Sequence, residues 1–224
     1  MPRHVLVFDV NETLLDLAAL DPEFERVFGD ASVRKQWFQQ MLASAFVSTI
    51  TSKYADFGTL GRGALDMIAQ RVGKTLSDAD RQAILGTMRR LPPHPEARRA
   101  LEHLRERGFR LATLTNSTIE VAEAQMANSG LRPLFEQVLS ADTVKRLKPA
   151  PEPYAHAAER LGVGMDKVRL VAAHFWDVAG ALRAGCAAAF VARPGQILDP
   201  NMERPDVVGP NLSAVAEQIV ALDL

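Results

Sequence analysis

Cysteine occurs once in the 224 residues, at Cys186, so an intrachain disulfide is excluded and a reducing compartment is the expectation. Set among Gly185, Ala187, Ala188 and Ala189, that thiol reads as a small core residue, with a nucleophile as the other reading. Excess charge of either sign is lacking too: 26 basic residues face 27 acidic ones. With no basic or acidic block, neither nucleic acid nor an anionic membrane is expected as a partner. No apolar run approaches membrane-spanning length, and no charged-then-apolar leader precedes the first strand, so a cytoplasmic protein is expected. Repeats and low-complexity tracts are missing as well. What is present is ample apolar content, 47%, for a packed core.

The informative stretch is His4–Asp16. Val5, Leu6, Val7 and Phe8 form an unbroken apolar run, as in a strand buried on both faces of a parallel sheet, and the run stops at Asp9. A carboxylate there would sit at the carboxyl end of a central strand, where open α/β sheets build their sites. Asn11, Glu12 and Thr13 follow it.

Residues 17 to 91 carry no β-branched runs and read as helices over Pro22–Phe28, Ser32–Thr51, Leu60–Val72 and Ser77–Arg90. Ser32 and Ser77 are the candidate caps. In the second helix Val33, Trp37, Met41 and Phe38, Leu42, Ala45 recur at helical spacing and mark a buried side. Leu91-Pro92-Pro93-His94-Pro95 breaks the chain. Strands and helices then alternate: helix Glu96–Arg107, strand Arg110–Leu114, helix Ile119–Ser129, strand Gln137–Ser140, helix Glu152–Leu161, strand Val168–Ala172, helix Val178–Ala184, strand Ala187–Ala192, a short strand Asp206–Val208 and a helix Ser213–Leu222. The expected organisation is an α/β core of residues 1–16 and 92–224 with a parallel sheet, and an all-helical insertion at 17–91 placed over the sheet's carboxyl edge as a lid.

Three later strand ends are polar: Thr115-Asn116-Ser117-Thr118, Lys145-Arg146-Leu147-Lys148-Pro149, and His174-Phe175-Trp176-Asp177. Singly, each has a plain reading as helix caps or solvated charge. Together they bring an acid, a hydroxyl, an ammonium and a second acid to one edge of a sheet.

In order and spacing, Asp9 with Thr13, Thr115-Asn116, Lys148-Pro149 and Asp177 resemble the four signature segments of the haloacid dehalogenase superfamily, across nearly the whole chain. The resemblance implies a Rossmann-like core with a helical cap. Phosphatases of that superfamily place an Asp two residues after the nucleophile; here the position is Asn11, whose amide cannot donate and retrieve a proton. Ala172 and Ala173 precede His174, leaving Asp177 as the only acid of its segment, poor in ligands for a hard divalent cation.

These departures resemble the type II 2-haloacid dehalogenases, which implies halide release from short 2-haloacids through an aspartyl ester, with no metal or cofactor and as a homodimer, to which exposed Phe46 and Phe57 would contribute. In that reading Asp9 is the nucleophile and Lys148 keeps it ionised, with Thr13 and Tyr154 in support. Arg34 and Asn116 receive the halide, and Phe175 and Trp176 line the pocket. Thr115 and the backbone near Val10 and Asn11 hold the substrate carboxylate. Asp177 activates water; His174 either shares that task or replaces a hydrogen-bonding amide. Ala172 and His174 stand where the family commonly has Ser and Asn. An arginine from the cap and an added imidazole would suit fluoride, which brings fluoroacetate into consideration. A phosphatase, a non-catalytic binding module and a dehalogenase fold with another natural substrate are the competing readings.

Overall fold

The computed structural model describes residues 4–224; residues 1–3 of the expected core segment lie outside the described residues. The first strand, β1, is Val5–Phe8, and all four of its residues are buried. After it come four helices, α1 (Asp21–Phe28), α2 (Val33–Ile50), α3 (Phe57–Arg71) and α4 (Asp78–Thr87). The remainder alternates: α5 (Ala97–Glu106), β2 (Leu111–Thr115), α6 (Ile119–Asn128), β3 (Gln137–Ser140), α7 (Pro151–Leu161), β4 (Val168–Ala172), α8 (Phe175–Arg183), β5 (Ala187–Val191), β6 (Val207–Gly209) and α9 (Leu212–Asp223). The six strands form one parallel sheet in the order β3-β2-β1-β4-β5-β6. The chain leaves β1 for β2 on one side and returns to β4 on the other. The topological switch therefore lies at the carboxyl ends of β1 and β4, the usual place for a ligand crevice in an open α/β sheet.

Side chains alternate across a strand, so β1 feeds two cores. Leu6 and Phe8 pack with α5, α6, α9 and the four inserted helices, and Val5 and Val7 pack with α7 and α8. Helices on both faces explain why the strands read as continuous apolar runs rather than alternating ones. Cys186 is buried in the second core, and burial pushes its thiol up to about 12, so it is not a thiolate near neutral pH.

Within the insertion, the fully buried Trp37 of α2 donates from Nε1 to the Gly61 carbonyl of α3 at 2.9 Å. A Cβ on Gly61 would stand 3.0 Å from the Met41 sulfur, so the glycine permits this close crossing. Ser77 caps α4 in a reciprocal box with Asp80. Ser32, by contrast, makes no side-chain cap; Asp30 accepts from its backbone N–H instead. The third helix starts at Phe57 rather than Leu60 because Asp56 caps it, and Phe57 is thereby buried rather than exposed.

Candidate active site

Five backbone segments converge at the switch point. Asp9 leaves β1 with its N–H bonded to the Val171 carbonyl of β4 at 3.0 Å. Its Oδ2 accepts from the Thr13 hydroxyl at 2.7 Å, and that hydroxyl accepts from Ala173 N–H at 2.9 Å. Thr13 can lie four residues from Asp9 yet beside it because the turn passes through Glu12 in the left-handed region, φ 61°.

Lys148 is fully buried, and its ammonium has three protons and three acceptors: Asp9 Oδ1 at 2.9 Å, Asp177 Oδ2 at 2.6 Å and the Leu114 carbonyl at 2.8 Å. Asn116 holds the Lys148 backbone, accepting from its N–H at 2.9 Å. Tyr154 donates to Asp177 Oδ1 at 2.6 Å. Asp177 is not the cap of its helix: α8 begins at Phe175, which puts the carboxylate inside the first turn, where the helix dipole favours an anion. Gly180, one turn further on, is obligatory at this spot. A Cβ there would approach Tyr154 Oη and the Pro149 Cβ to 2.6 Å.

The electrostatics separate the two acids. Burial pushes Asp9 up, but the Lys148 charge, then His174 and the Thr13 hydrogen bond, hold it below the ordinary carboxylate value. Asp177 goes the other way: burial and the neighbouring Asp9 lift it despite Lys148. Burial alone would discharge Lys148, yet Asp177 and Asp9 keep its value above the ordinary lysine one. Burial, followed by the Asp177 charge, raises Tyr154 well above its ordinary value, so the phenol stays a donor.

Over this cluster stands an aromatic wall. The His174 ring stacks on Trp176 at 5.2 Å, and Phe38 of α2 lies 5.8 Å from His174 on the inserted side. Phe46 meets Trp176 edge-on at 5.5 Å, and Lys148 Nζ is 6.0 Å from the Trp176 ring. His174 Nε2 is 3.3 Å from the Asn11 carbonyl and 3.9 Å from Asp9 Oδ2. A carbonyl only accepts, so the contact with Asn11 puts the proton on Nε2.

The structure thus brings together Asp9, Thr13, Lys148, Tyr154, His174, Trp176 and Asp177, with Asn116 behind Lys148 and the buried Val10 and Asn11 in the turn. Three candidates make no hydrogen bond to Asp9 among the described residues. Arg34 is buried on α2, but its guanidinium serves Asp21 at 2.5 Å and faces Glu12 at 3.6 Å, and no hydrogen bond links it to Asp9, Lys148 or Asp177. The Thr115 hydroxyl accepts from Ser117 N–H at 3.2 Å. Phe175 is more exposed than Trp176, and both border an outer groove. Two neighbours escaped the sequence reading. Phe38 reads as core from its spacing. Gln125, fully buried on α6, donates to Asn11 Oδ1 at 3.0 Å and to the Met88 carbonyl at 2.8 Å. An amide among Ala122 and Met126 on a buried helix face was the available signal.

A six-stranded parallel sheet with a carboxylate–lysine–carboxylate cluster at its switch point defines a class, and residues 4–185 match the family described as haloacid dehalogenase-like hydrolases. The chain belongs to that family. Among curated relatives it is 29% identical over 218 residues to haloacetate dehalogenase H-2 of Moraxella sp. (strain B), covering 96% of each chain. It is 31% identical over 193 residues to the (S)-2-haloacid dehalogenase of Xanthobacter autotrophicus, covering 85% of this chain and 76% of that one. The solved L-2-haloacid dehalogenase of Xanthobacter autotrophicus with chloropropionic acid covalently bound superposes with a TM-score of 0.92 at 26% identity, over 99% of this chain and 100% of the other.

Proposed function

We propose that this protein is a hydrolytic dehalogenase of short 2-haloalkanoic acids, with Asp9 as nucleophile and residues 17–91 as a cap. The observation that supports this most directly is the Lys148 ammonium spending all three protons on Asp9, Asp177 and a carbonyl, beside an amide at Asn11. An oxygen of Asp9 attacks C2, the carbon–halogen bond breaks with its electron pair leaving as halide, and an ester forms. Water then attacks the side-chain carbonyl carbon of Asp9, so its attacking oxygen leaves as the 2-hydroxyl of the product. A proton acceptor is needed only in that second step, for the attacking water. Asp177, whose value is lifted by burial, is the stronger base of the pair and is assigned to it.

His174 takes a donor's role in this reading. With its Nε2 protonated against the Asn11 carbonyl, the imidazole edge nearest Asp9 offers a proton to an anion rather than accepting one. The aromatic wall keeps water from the carboxylate before the ester forms, which favours a weak nucleophile. Arg34 spends its Nε on Asp21 and has Nη1 3.6 Å from Glu12, so its terminal nitrogens remain donors beside His174, and fluoride departure, hence fluoroacetate, stays within this reading.

A phosphatase reading fits these groups less well. Asn11 cannot shuttle a proton, and the ammonium already stands between the two carboxylates that a divalent cation would need. The deciding experiment is halide release from chloroacetate, 2-chloropropionate and fluoroacetate with and without a chelator, alongside mass spectrometry of the mixed protein. Chelator-indifferent chloride release with a covalent adduct on Asp9 is expected. Magnesium-dependent phosphate release from phosphate monoesters, with no adduct, would overturn the assignment.

A further inference from the structure

Gln125 lies outside every motif discussed above, yet it reaches the turn after Asp9 from α6, 114 residues away. Its chemistry can be read without ambiguity. The Met88 carbonyl is an acceptor whatever its surroundings, so the group 2.8 Å from it must be the Gln125 amide nitrogen. The second proton of that nitrogen then points at Asn11, 3.0 Å away, and Asn11 must present its oxygen there. Reversing Gln125 would set two carbonyl oxygens against each other. The arrangement leaves Gln125 Oε1 buried without a partner, so this amide is retained at a cost to the fold.

The orientation of Asn11 is fixed as a result. Its backbone carbonyl faces His174 Nε2 at 3.3 Å, and its side-chain oxygen is taken by Gln125. Its Nδ2 donates to no protein acceptor among the described residues. It is not one of the fully enclosed unpaired polar atoms, so it borders accessible space two residues from Asp9. An amide nitrogen held with its oxygen turned away is a donor for an anion and useless as a base.

We infer that Gln125 is a positioning residue that locks the Asn11 amide with its NH₂ toward the substrate, making Asn11 Nδ2 a donor to the carboxylate of the bound acid. This rests on the dehalogenase reading for the identity of the substrate. The same nitrogen is tied to Met88, in the turn Met88–Arg90 that closes the inserted helices, so the donor is set relative to the cap as well as the sheet.

Three measurements test it. Wild-type halide release from chloroacetate decides the substrate reading by itself. Propionate, which cannot react, is titrated into the ¹⁵N-labelled protein; the Asn11 side-chain amide resonances are expected to shift, and saturation without a shift overturns the inference. Gln125→Met keeps the volume and removes both hydrogen bonds. Its KM for 2-chloropropionate is expected to rise about tenfold, the scale of one lost bond to a charged group, with kcat changed less than about threefold. In an Asn11→Ala background, Gln125→Met should change kcat/KM by less than about twofold, because its route to the substrate is gone. An unchanged KM, or an undiminished effect in that background, overturns the inference. Should Gln125→Met fail to fold, the propionate titration of the wild type still decides it. Halide release together with an unmoved Asn11 amide would sink the inference and leave the dehalogenase reading standing.

Discussion

Two buried ion clusters occupy opposite ends of the same pair of strands. At the carboxyl ends of β1 and β4, Lys148 joins Asp9 and Asp177. At the amino ends, Arg169 of β4 binds Asp223 of α9 through Nε at 2.9 Å and Nη2 at 3.0 Å, reaches Asp206, and donates to the Ala188 carbonyl, while His4 pairs with Asp223 at 2.8 Å. Both clusters have a buried cation and buried carboxylates, Asp206 at the rim of the second being exposed, and both link segments distant in sequence. Burial of charge therefore does not mark the site. What differs is spare capacity. A carboxylate has about four acceptor positions. Asp223 spends three on Arg169 and His4, whereas Asp9 spends two and stands beneath the aromatic wall. The cations differ to match. A guanidinium fork fixes planar pairs, which suits anchoring a terminal helix, and an ammonium is a point charge that leaves the carboxylates' other edges open.

The largest expected effect tests Asp9 alone. Asp9→Ala should lower kcat for halide release by at least about 10⁴-fold, the range seen when a covalent nucleophile is removed. Circular dichroism should stay native, because Lys148 keeps Asp177 as its partner. Activity within about tenfold of wild type would remove Asp9 from the chemistry.

One substitution applied at both ends sharpens the contrast. Lys148→Met leaves two buried carboxylates sharing a site, and one must take up a proton. Activity is expected to fall by about 10³-fold, with the residual activity rising toward alkaline pH as the shared proton is lost. Arg169→Met leaves Asp223 with His4 alone. It should lose about 3–5 kcal/mol of stability by urea unfolding, the usual penalty for stranding a buried charge. The folded enzyme should keep kcat/KM within about threefold, since Arg169 is at the far edge of the sheet. Equal activity losses from the two variants would show that the two clusters do not differ in function.

The two clusters were not equally legible. Asp9 ends an apolar run directly, and Lys148 and Asp177 fall in the polar segments that follow the strands Gln137–Ser140 and Val168–Ala172, where charge stands out. Arg169 sits inside the run Val168–Ala172, so its charge is hidden by the strand it occupies. Spacing also misled where caps decide. Asp177 reads as a cap before Val178, but the helix starts at Phe175, and Asp56 pulls α3 back to bury Phe57. Arg34 falls on the buried side of α2, and periodicity says nothing about which carboxylate it meets. The Gln125–Asn11 contact spans 114 residues and exists only once α6 has docked against the turn. Local patterns expose strands, breaks and their terminal charges; partners chosen by tertiary packing stay invisible until the sheet order is known.

The smallest effect separates the clusters by pH. Asp223 is pushed up by burial but held below its ordinary 3.8 by Arg169 and His4. Its folded value is depressed, so the stability it contributes is present above about pH 4 and is lost as pH falls through that lower value. Asp9 is depressed as well, so the acid limb of kcat/KM should also fall below its ordinary 3.8. In the wild type both limbs lie below the ordinary carboxylate value, so variants are used to separate acid inactivation from acid unfolding. Thr13→Val removes one hydrogen bond to the Asp9 carboxylate and should move the activity limb upward by less than about one pH unit, with acid unfolding shifted no further than that through the same carboxylate. Arg169→Met should move only the unfolding limb. If Thr13→Val shifts unfolding further than activity, the hydroxyl is bracing the turn through its bond from Ala173 rather than tuning the nucleophile.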